Sequence, residues 1–488
     1  MTLLVVLLLG TMLPALAAIY WVRRSPISQE RNARNEIVLL WFYFLAIVIV
    51  TRLVAGLLIL SGSYLPAATY FYPIRIAGPN WQLLEGLPYL ILCLLALFYL
   101  PQIAVYIRDK HLAHLLLWVF SAGLLLSFGA IHGGPVAGNI GISDSAEHLS
   151  DARLNATVWD VFATHTDRIM GRVSPPYRAP HSTSHPATSV VYWHLAARAI
   201  SPLVFSLINV LLFAAVFPVI YWCLSRRFDN ETAMQATLGC LVIPGLLIYG
   251  RSDDAVLYGL AGSAMALSLV AVSERRYELT AGAGLMAALG LNKSYAAIIL
   301  LPAMSSFIAA VPLKKIWQHT YRIAPHVLIV LAIISLVVYS MWLATSFDLL
   351  KSFQVSVDYN RPTHILSVLR RGDYAAALSD RLMAWGDFLI FSGPLLLYLI
   401  VTLVRRWTPS PPSWQLRNVA LTVLLCVLAV NSSGAGELAR PWGSVYLLIA
   451  ICWLPEFLQN HDRATRWWLI RTQFGWAIFL QTILNFVW

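Results

Sequence analysis

The chain is a succession of apolar runs of membrane length separated by short polar breaks. A helix that crosses a hydrocarbon core roughly 30 Å thick needs about 20 mostly apolar residues, because its backbone polar groups must be satisfied within the segment. The runs that meet or approach this demand are 3–20, 37–60, 83–106, 113–132, 203–223, 233–250, 255–273, 278–291, 295–311, 322–343, 384–404, 415–431, 442–457 and 467–486. They are continuous in hydrophobicity rather than alternating, which excludes a β-barrel. The pattern predicts an all-α fold, a polytopic transmembrane helix bundle of about 14 spans.

Two polar interruptions divide the chain. Residues 1–132 hold four spans, 133–202 an external loop with amphipathic helices, 203–343 a transmembrane core, 344–383 a second external loop and 384–488 the C-terminal spans. In the first loop "LSDARLNATVWDVFATHT" has a helical rhythm, with Leu149, Ala152, Val158, Trp159 and Phe162 on an apolar face suited to the membrane surface. "SHPATSVVYWHLAARAI" places a proline at a helix start and leads back into the membrane. The second loop mixes amphipathic helix with Arg361, Arg370, Arg371 and Arg381.

Composition strengthens the membrane reading. Of 488 residues 59% are hydrophobic and only 12% charged, against about a quarter charged in soluble domains. The net charge of +11 raises nucleic acid as a partner, yet the basic residues sit in short loops, where they act as orientation signals. Arg23, Arg24, Arg31 and Arg34 share one loop, and alternate loops carry Arg108 with Lys110, Arg226 with Arg227 and Arg275 with Arg276. The same side receives Lys314 with Lys315, Arg405 with Arg406, and Arg463 with Arg466. That side reads as cytoplasmic, which places both termini and both long loops outside and leaves no role for nucleic acid. Residues 1–20 end in "ALAA" like a signal peptide, but no basic residue precedes the apolar run and two arginines follow it, so a retained span is expected. All five cysteines lie in apolar runs without paired spacing, which indicates neither disulfides nor a thiolate metal site.

Ionisable residues near a bilayer are costly to desolvate and therefore mark functional candidates. Five segments bring such residues to the same external face: Asp144 to Asp151 with His148 and Arg153, His181 with His185, Arg251 with Asp253 and Asp254, Lys293, and Glu437 with Arg440. A carboxylate beside an acceptor hydroxyl can serve as general base, and cations around a phosphate stabilise charge growing on a departing phosphoryl oxygen. Arginine clamps such a group bidentately, whereas lysine and protonated histidine act as point charges.

These segments resemble the GT-C superfamily of membrane glycosyltransferases, in the branch of protein O-mannosyltransferases and aminoarabinose transferase. "DSAEHLSDAR" keeps Asp144, His148, Ala152 and Arg153 in step with an Asp-Glu-x-x-Tyr-x-x-x-Ala-Arg type motif, with Ser145 in place of Glu. "HPATSVVYWHL" supplies His185, Pro186, Tyr192, Trp193 and Leu195 against a Lys/His-Pro-Pro-Leu-x-Tyr-Trp-Leu stretch, without the second proline. "YGRSDDAVLYGL", "LGLNKSYAAIILLP" and "SGAGELARPWG" follow in the family's order, and the likeness runs from about 130 to 457. Four spans before the acidic loop, where the family has one, depart from its pattern. The resemblance implies inverting transfer of a sugar from a polyprenyl-phosphate donor to a lipid, glycan or protein acceptor. It makes Asp144 the base and His185, Arg251, Lys293 and Arg440 the donor-phosphate contacts, with His148, Arg153, Asp253, Asp254 and Glu437 in support. Short loops and the lack of a soluble domain suggest a bacterial inner membrane with the site facing the periplasm.

Each candidate also has a plainer reading. Asp144 suits an N-cap with Glu147 at the capping-box position. Asp151 and Glu147 read as solvated surface, Asp253 as an ion-pair partner of Arg251, Glu437 with Arg440 as a local pair, and Lys293 as a snorkelling lysine. Trp81, Trp159, Trp193, Trp407, Trp442, Trp467 and Trp468 read as interfacial belt residues. His181 and His185 have metal-ligand spacing on a helix, but Pro180 and Pro186 argue against a regular helix there. No metal site is assigned and no cofactor is required, although Asp144 and His148 leave room for a divalent cation such as magnesium or manganese. A flippase for lipid-linked glycans would instead place polar residues at mid-span, and a polymerase or ligase would use a diphosphate-linked donor.

Overall fold

The computed structural model describes residues 35–42, 46, 74–76, 82–131, 149–177, 182–183, 185–199, 201–295, 297, 316–360, 370–372, 374–405 and 443–486. Among them the secondary structure is helical apart from one short ladder. The helices are α1 (Gln82–Arg108), α2 (Ala113–Gly129), α3 (Val158–Ile169), α4 (Ala187–Ala199), α5 (Pro202–Ala214), α6 (Val216–Ser225), α7 (Asn230–Leu241) and α8 (Pro244–Tyr249). They continue with α9 (Asp254–Glu274), α10 (Tyr277–Lys293), α11 (Ile316–Thr345), α12 (Leu349–Asn360), α13 (Tyr374–Arg405), α14 (Gly443–Gln459) and α15 (Arg463–Ile483).

Four helical segments, Leu84–Arg108, Leu203–Ser225, Asp254–Glu274 and Ala324–Thr345, are long and apolar enough to cross a membrane. Three shorter apolar helices accompany them, at Ala113–Gly129, Phe388–Thr402 and Gly443–Gln459. This is a membrane protein built on a helix bundle. Its centre is α9, which packs against α5, α6, α10 and α14. Small side chains make the closest of these approaches: Ala264 of α9 and Ala283 and Ala287 of α10 are buried together with Val330 of α11, and small residues let backbones draw near where lipid offers no hydrophobic drive between helices. At the periphery α11 leaves Leu328, Leu336 and Leu343 exposed.

Several span boundaries differ from the hydropathy pattern for identifiable reasons. The run 233–250 is two helices, because Pro244 cannot continue α7 and instead opens α8 at its first turn. Inside α13 the backbone breaks at Gly393, with φ 74°, just before Pro394. The polar groups freed there are met by Gln473 of α15: its Oε1 accepts from the Leu395 amide at 2.7 Å and its Nε2 donates to the Ser392 carbonyl at 2.6 Å. Gln473 occupies the space that a Cβ on Gly393 would need, and a broken helix persists at membrane depth only when such a partner is supplied. The run 467–486 does not stay helical to its end. Leu484–Phe486 leaves α15 as a strand, β2, and pairs antiparallel with β1 (Ile74–Ile76), Arg75 opposite Asn485.

Helix alternation gives the bundle two chemically different ends. At one end Glu231 meets Arg463 at 2.7 Å and Arg108 at 3.7 Å, and Arg226 meets Glu274 at 2.7 Å. At the other end lie the last residues of α2, α8 and α10 and the first of α5 and α9.

Candidate functional site

The segment between α2 and α5 forms a small folded unit over this second end. Its helical rhythm is interrupted, because Thr157 stops one turn and starts the next. The Thr157 hydroxyl accepts from the Asp160 amide at 3.1 Å while the Asp160 carboxylate accepts from the Thr157 amide at 2.8 Å, a reciprocal capping box. The buried face of α3 is then Val161, His165, Arg168 and Ile169, not the predicted stripe through Trp159, which is exposed. The Arg168 guanidinium closes the unit from inside, donating to the carbonyls of Pro175 at 2.6 Å and Leu154 at 3.2 Å and to the Asn155 side chain at 3.1 Å. Asp151, read from sequence as solvated, is 2% exposed. It lies on the turn that packs toward α4, where His194 Nδ1 donates to the Ala152 carbonyl at 3.0 Å.

His165 links this unit to the predicted site. The ring is fully buried between Tyr177 and Phe347, and Nε2 donates to the His185 carbonyl at 3.1 Å. Burial pulls its pKa down to about 3, so the ring is neutral at physiological pH. Burial likewise pushes the neighbouring Tyr177 phenol up to about 12.

Four of the predicted residues, His185, Asp253, Asp254 and Lys293, converge beneath it, and Arg251 lies in the same turn as the two aspartates. Lys293, the last residue of α10, is 8% exposed and pairs with Asp253, which is 1% exposed. Its ammonium also donates to Ser189 at 3.4 Å and lies 5.1 Å from the Trp193 ring centroid and 5.5 Å from that of Tyr192, a geometry in which ring quadrupoles attract a cation. Asp254 comes within 4.0 Å of His185 Nε2, and the His185 ring sits 5.6 Å from that of Trp193. Arg251 is buried in the same turn, and its guanidinium stem fills the space that a Cβ on Gly129 would take, so α2 ends in glycine where this arginine crosses it. Burial lowers Arg251 to about 10, which still leaves it cationic at neutral pH.

Helix α4 is held on α10 by hydroxyls. Thr188 and Ser189 donate to the carbonyls of Asn292 and Lys293, satisfying acceptors that a helix end leaves open. The same contact puts Trp193 over the lysine. Trp193 is thus a wall of the cluster, fully buried, and not a belt residue; Trp467 is also buried. Two further plain readings are corrected: Asp253 pairs with Lys293, and Lys293 turns inward instead of snorkelling outward. Arg153 is exposed at the end of its turn. Asp144, His148, Glu437, Arg440 and His181 lie outside the described residues, as do Glu147, Trp407 and Trp442. His165, Arg168 and Ser189 were not foreseen; the first two sit four and seven residues after Val161, a helical spacing that could have flagged them.

The chain matches no known family model, and no curated protein matches it. Among the described residues no group of three or more metal-ligating side chains is assembled.

Chemically the cluster is close to charge-balanced, with Arg251 and Lys293 against Asp253 and Asp254. An ammonium that kept its carboxylate partner while receiving a second oxyanion would leave no buried charge unpaired, whereas leaving Asp253 alone would be costly.

Proposed function

We propose that this protein is an integral membrane glycosyltransferase of GT-C type, in a bundle of about 14 spans, which moves a sugar from a polyprenyl-phosphate donor to an acceptor on the periplasmic side of a bacterial inner membrane. The observation that carries the reading is the convergence of His185, Asp253, Asp254 and Lys293, from three separate segments, in one cluster at one end of the bundle, with Arg251 buried in the same turn as the two aspartates. Buried ionisable groups at a bilayer surface are expensive and mark sites where charge is handled. The ordered sequence motifs give that charge a meaning.

In this reading Asp144 takes the proton of the acceptor hydroxyl as the oxygen attacks the anomeric carbon, and the bond to the phosphate oxygen breaks with inversion. Arg251 and Lys293, with His185 and Arg440, receive the departing phosphate, Lys293 while still paired with Asp253. Asp254 orients His185, Glu437 orients Arg440, and His148 and Arg153 flank the base. No metal is required, and a divalent cation would sit beside Asp144.

The test is turnover in proteoliposomes. Protein supplied with polyprenyl-monophosphate sugars and a membrane extract as acceptor should release polyprenyl phosphate, and Asp144→Asn should abolish this. Consumption of diphosphate-linked donors alone would favour a polymerase or ligase, and lipid movement between leaflets without bond cleavage would favour a flippase. Unchanged turnover in Asp144→Asn would remove the base assignment.

A further inference from the structure

Helix α12 carries an apolar stripe that the protein leaves uncovered. A three-residue connection joins it to helix α11, whose outer turns expose Tyr339, Trp342 and Leu343. The connection is tight: Ser346 takes a positive φ of 55° and its amide donates to the Trp342 carbonyl at 2.7 Å, and Asp348 caps α12 by accepting from the Lys351 amide at 3.0 Å.

The face that α12 turns into the protein mixes apolar and polar side chains. Leu349 is buried in the core with Val355 packed against it, and Ser352 and Ser356 are buried beside them, Ser352 accepting a hydrogen bond from the Tyr295 hydroxyl at 2.6 Å. Other apolar side chains look outward: Leu350 is 75% exposed and Val357 is exposed, while half-buried Phe353 between them packs on the Tyr295 ring at 5.3 Å. Positions 350, 353 and 357 fall on one stripe of a helix. The adjoining stripe, one residue on, is Lys351, Gln354 and Asp358, all exposed. The helix therefore has three faces, one toward protein, one apolar and outward, and one polar and outward.

We infer that α12 lies in the plane of the lipid–water interface on the side of the candidate cluster, with Leu350 and Val357 in the leaflet and Lys351, Gln354 and Asp358 among head groups and water. The occupant of the apolar stripe is lipid because of the tether. A 12-residue helix is about 18 Å long, and a three-residue connection joins it to a span end marked by a stacked tyrosine–tryptophan pair at 5.8 Å, the kind of aromatic pair that sits at head-group level. Such a helix has no length in which to leave the interface. Tyr295 lies two residues beyond Lys293, so its bond to Ser352 ties the depth of α12 in the leaflet to the position of the cation cluster.

The test uses nitroxide labels placed singly at positions 350, 357, 354 and 358 in the full chain, with native cysteines replaced by alanine and the protein in phosphatidylglycerol/phosphatidylethanolamine vesicles. Collision with oxygen reports lipid and collision with a polar nickel chelate reports water. The expected result is that oxygen accessibility exceeds nickel accessibility at 350 and 357 and that the ratio inverts at 354 and 358. Nickel-dominated collisions at all four positions would overturn the inference in favour of a helix in water. Shielding of 350 and 357 from both reagents would overturn it in favour of a protein partner. A label at either 350 or 357 alone separates lipid from water and from a protein partner, so the experiment stays decisive if substitution at the other prevents folding.

Discussion

The two ends of the bundle carry ion pairs of opposite character. At the basic end Arg226 and Glu274 meet with side chains 35% and 28% exposed, and Arg463 reaches Glu231 while remaining 63% exposed. At the other end Lys293 and Asp253 pair with side chains 8% and 2% exposed, walled by Trp193 and Tyr192. Solvated pairs cost little to make and contribute little. A buried pair is costly to assemble and is retained where its charges are used, or where they hold the chain in one arrangement. The contrast separates solvated surface charges from charges buried at the candidate site.

The sharpest way to break this contrast is to remove one partner of the buried pair. Lys293→Met leaves the Asp253 carboxylate buried and alone, and unfolding in mild detergent should become easier by about 3–5 kcal/mol. Adding Asp253→Leu should recover most of that loss. A single substitution costing under about 1 kcal/mol would place this pair with the exposed ones.

A smaller effect tests the unit above the cluster. His165 is neutral when folded because burial holds its pKa near 3, against 6.5 in the unfolded chain. The unfolded state therefore binds a proton more readily, so stability is full above about pH 6.5 and falls as pH drops below it, by up to about 1.4 kcal/mol per pH unit. Hydrogen exchange in α3 and α4 should accelerate across that window in the wild type, and the acceleration should be lost in His165→Phe. The amides of α6 and α9 at the basic end should show no such change.

The smallest effect belongs to the basic end. A double-mutant cycle over Arg226→Ala and Glu274→Ala should give a coupling of about 0.2–1 kcal/mol that disappears near 1 M salt. A coupling above about 2 kcal/mol that survives salt would erase the distinction between the ends.

Much of this architecture is legible along the chain. Apolar run length locates α1, α2, α9 and α11, and Pro186 correctly precedes α4. The candidate cluster is legible as a set of residue types, since arginine, lysine and aspartate beside apolar runs are conspicuous, but their partners are not. Nothing in the spacing of Asp253 and Lys293, 40 residues apart, says that they pair. The predicted apolar face from Leu149 to Phe162 is split in two, because Thr157 caps α3 and resets its phase, so that Leu149 and Ala152 are buried while Trp159 is exposed. The Gln473 plug at Gly393 joins residues in different helices, and a glutamine in an apolar run gives no hint of which broken backbone it repairs.

Sequence by itself determined that helices would form and that several of them would be long and apolar enough to cross a membrane, because hydrophobicity and helix start and stop signals act locally and need no knowledge of neighbours. Only the tertiary structure decided which charges are buried together, that Trp193 faces Lys293, and that the serines of α12 turn inward. Those outcomes depend on which helices touch, and in a membrane that is set by small-residue packing and the satisfaction of polar groups across helices rather than by the hydrophobic pattern, which all the spans share.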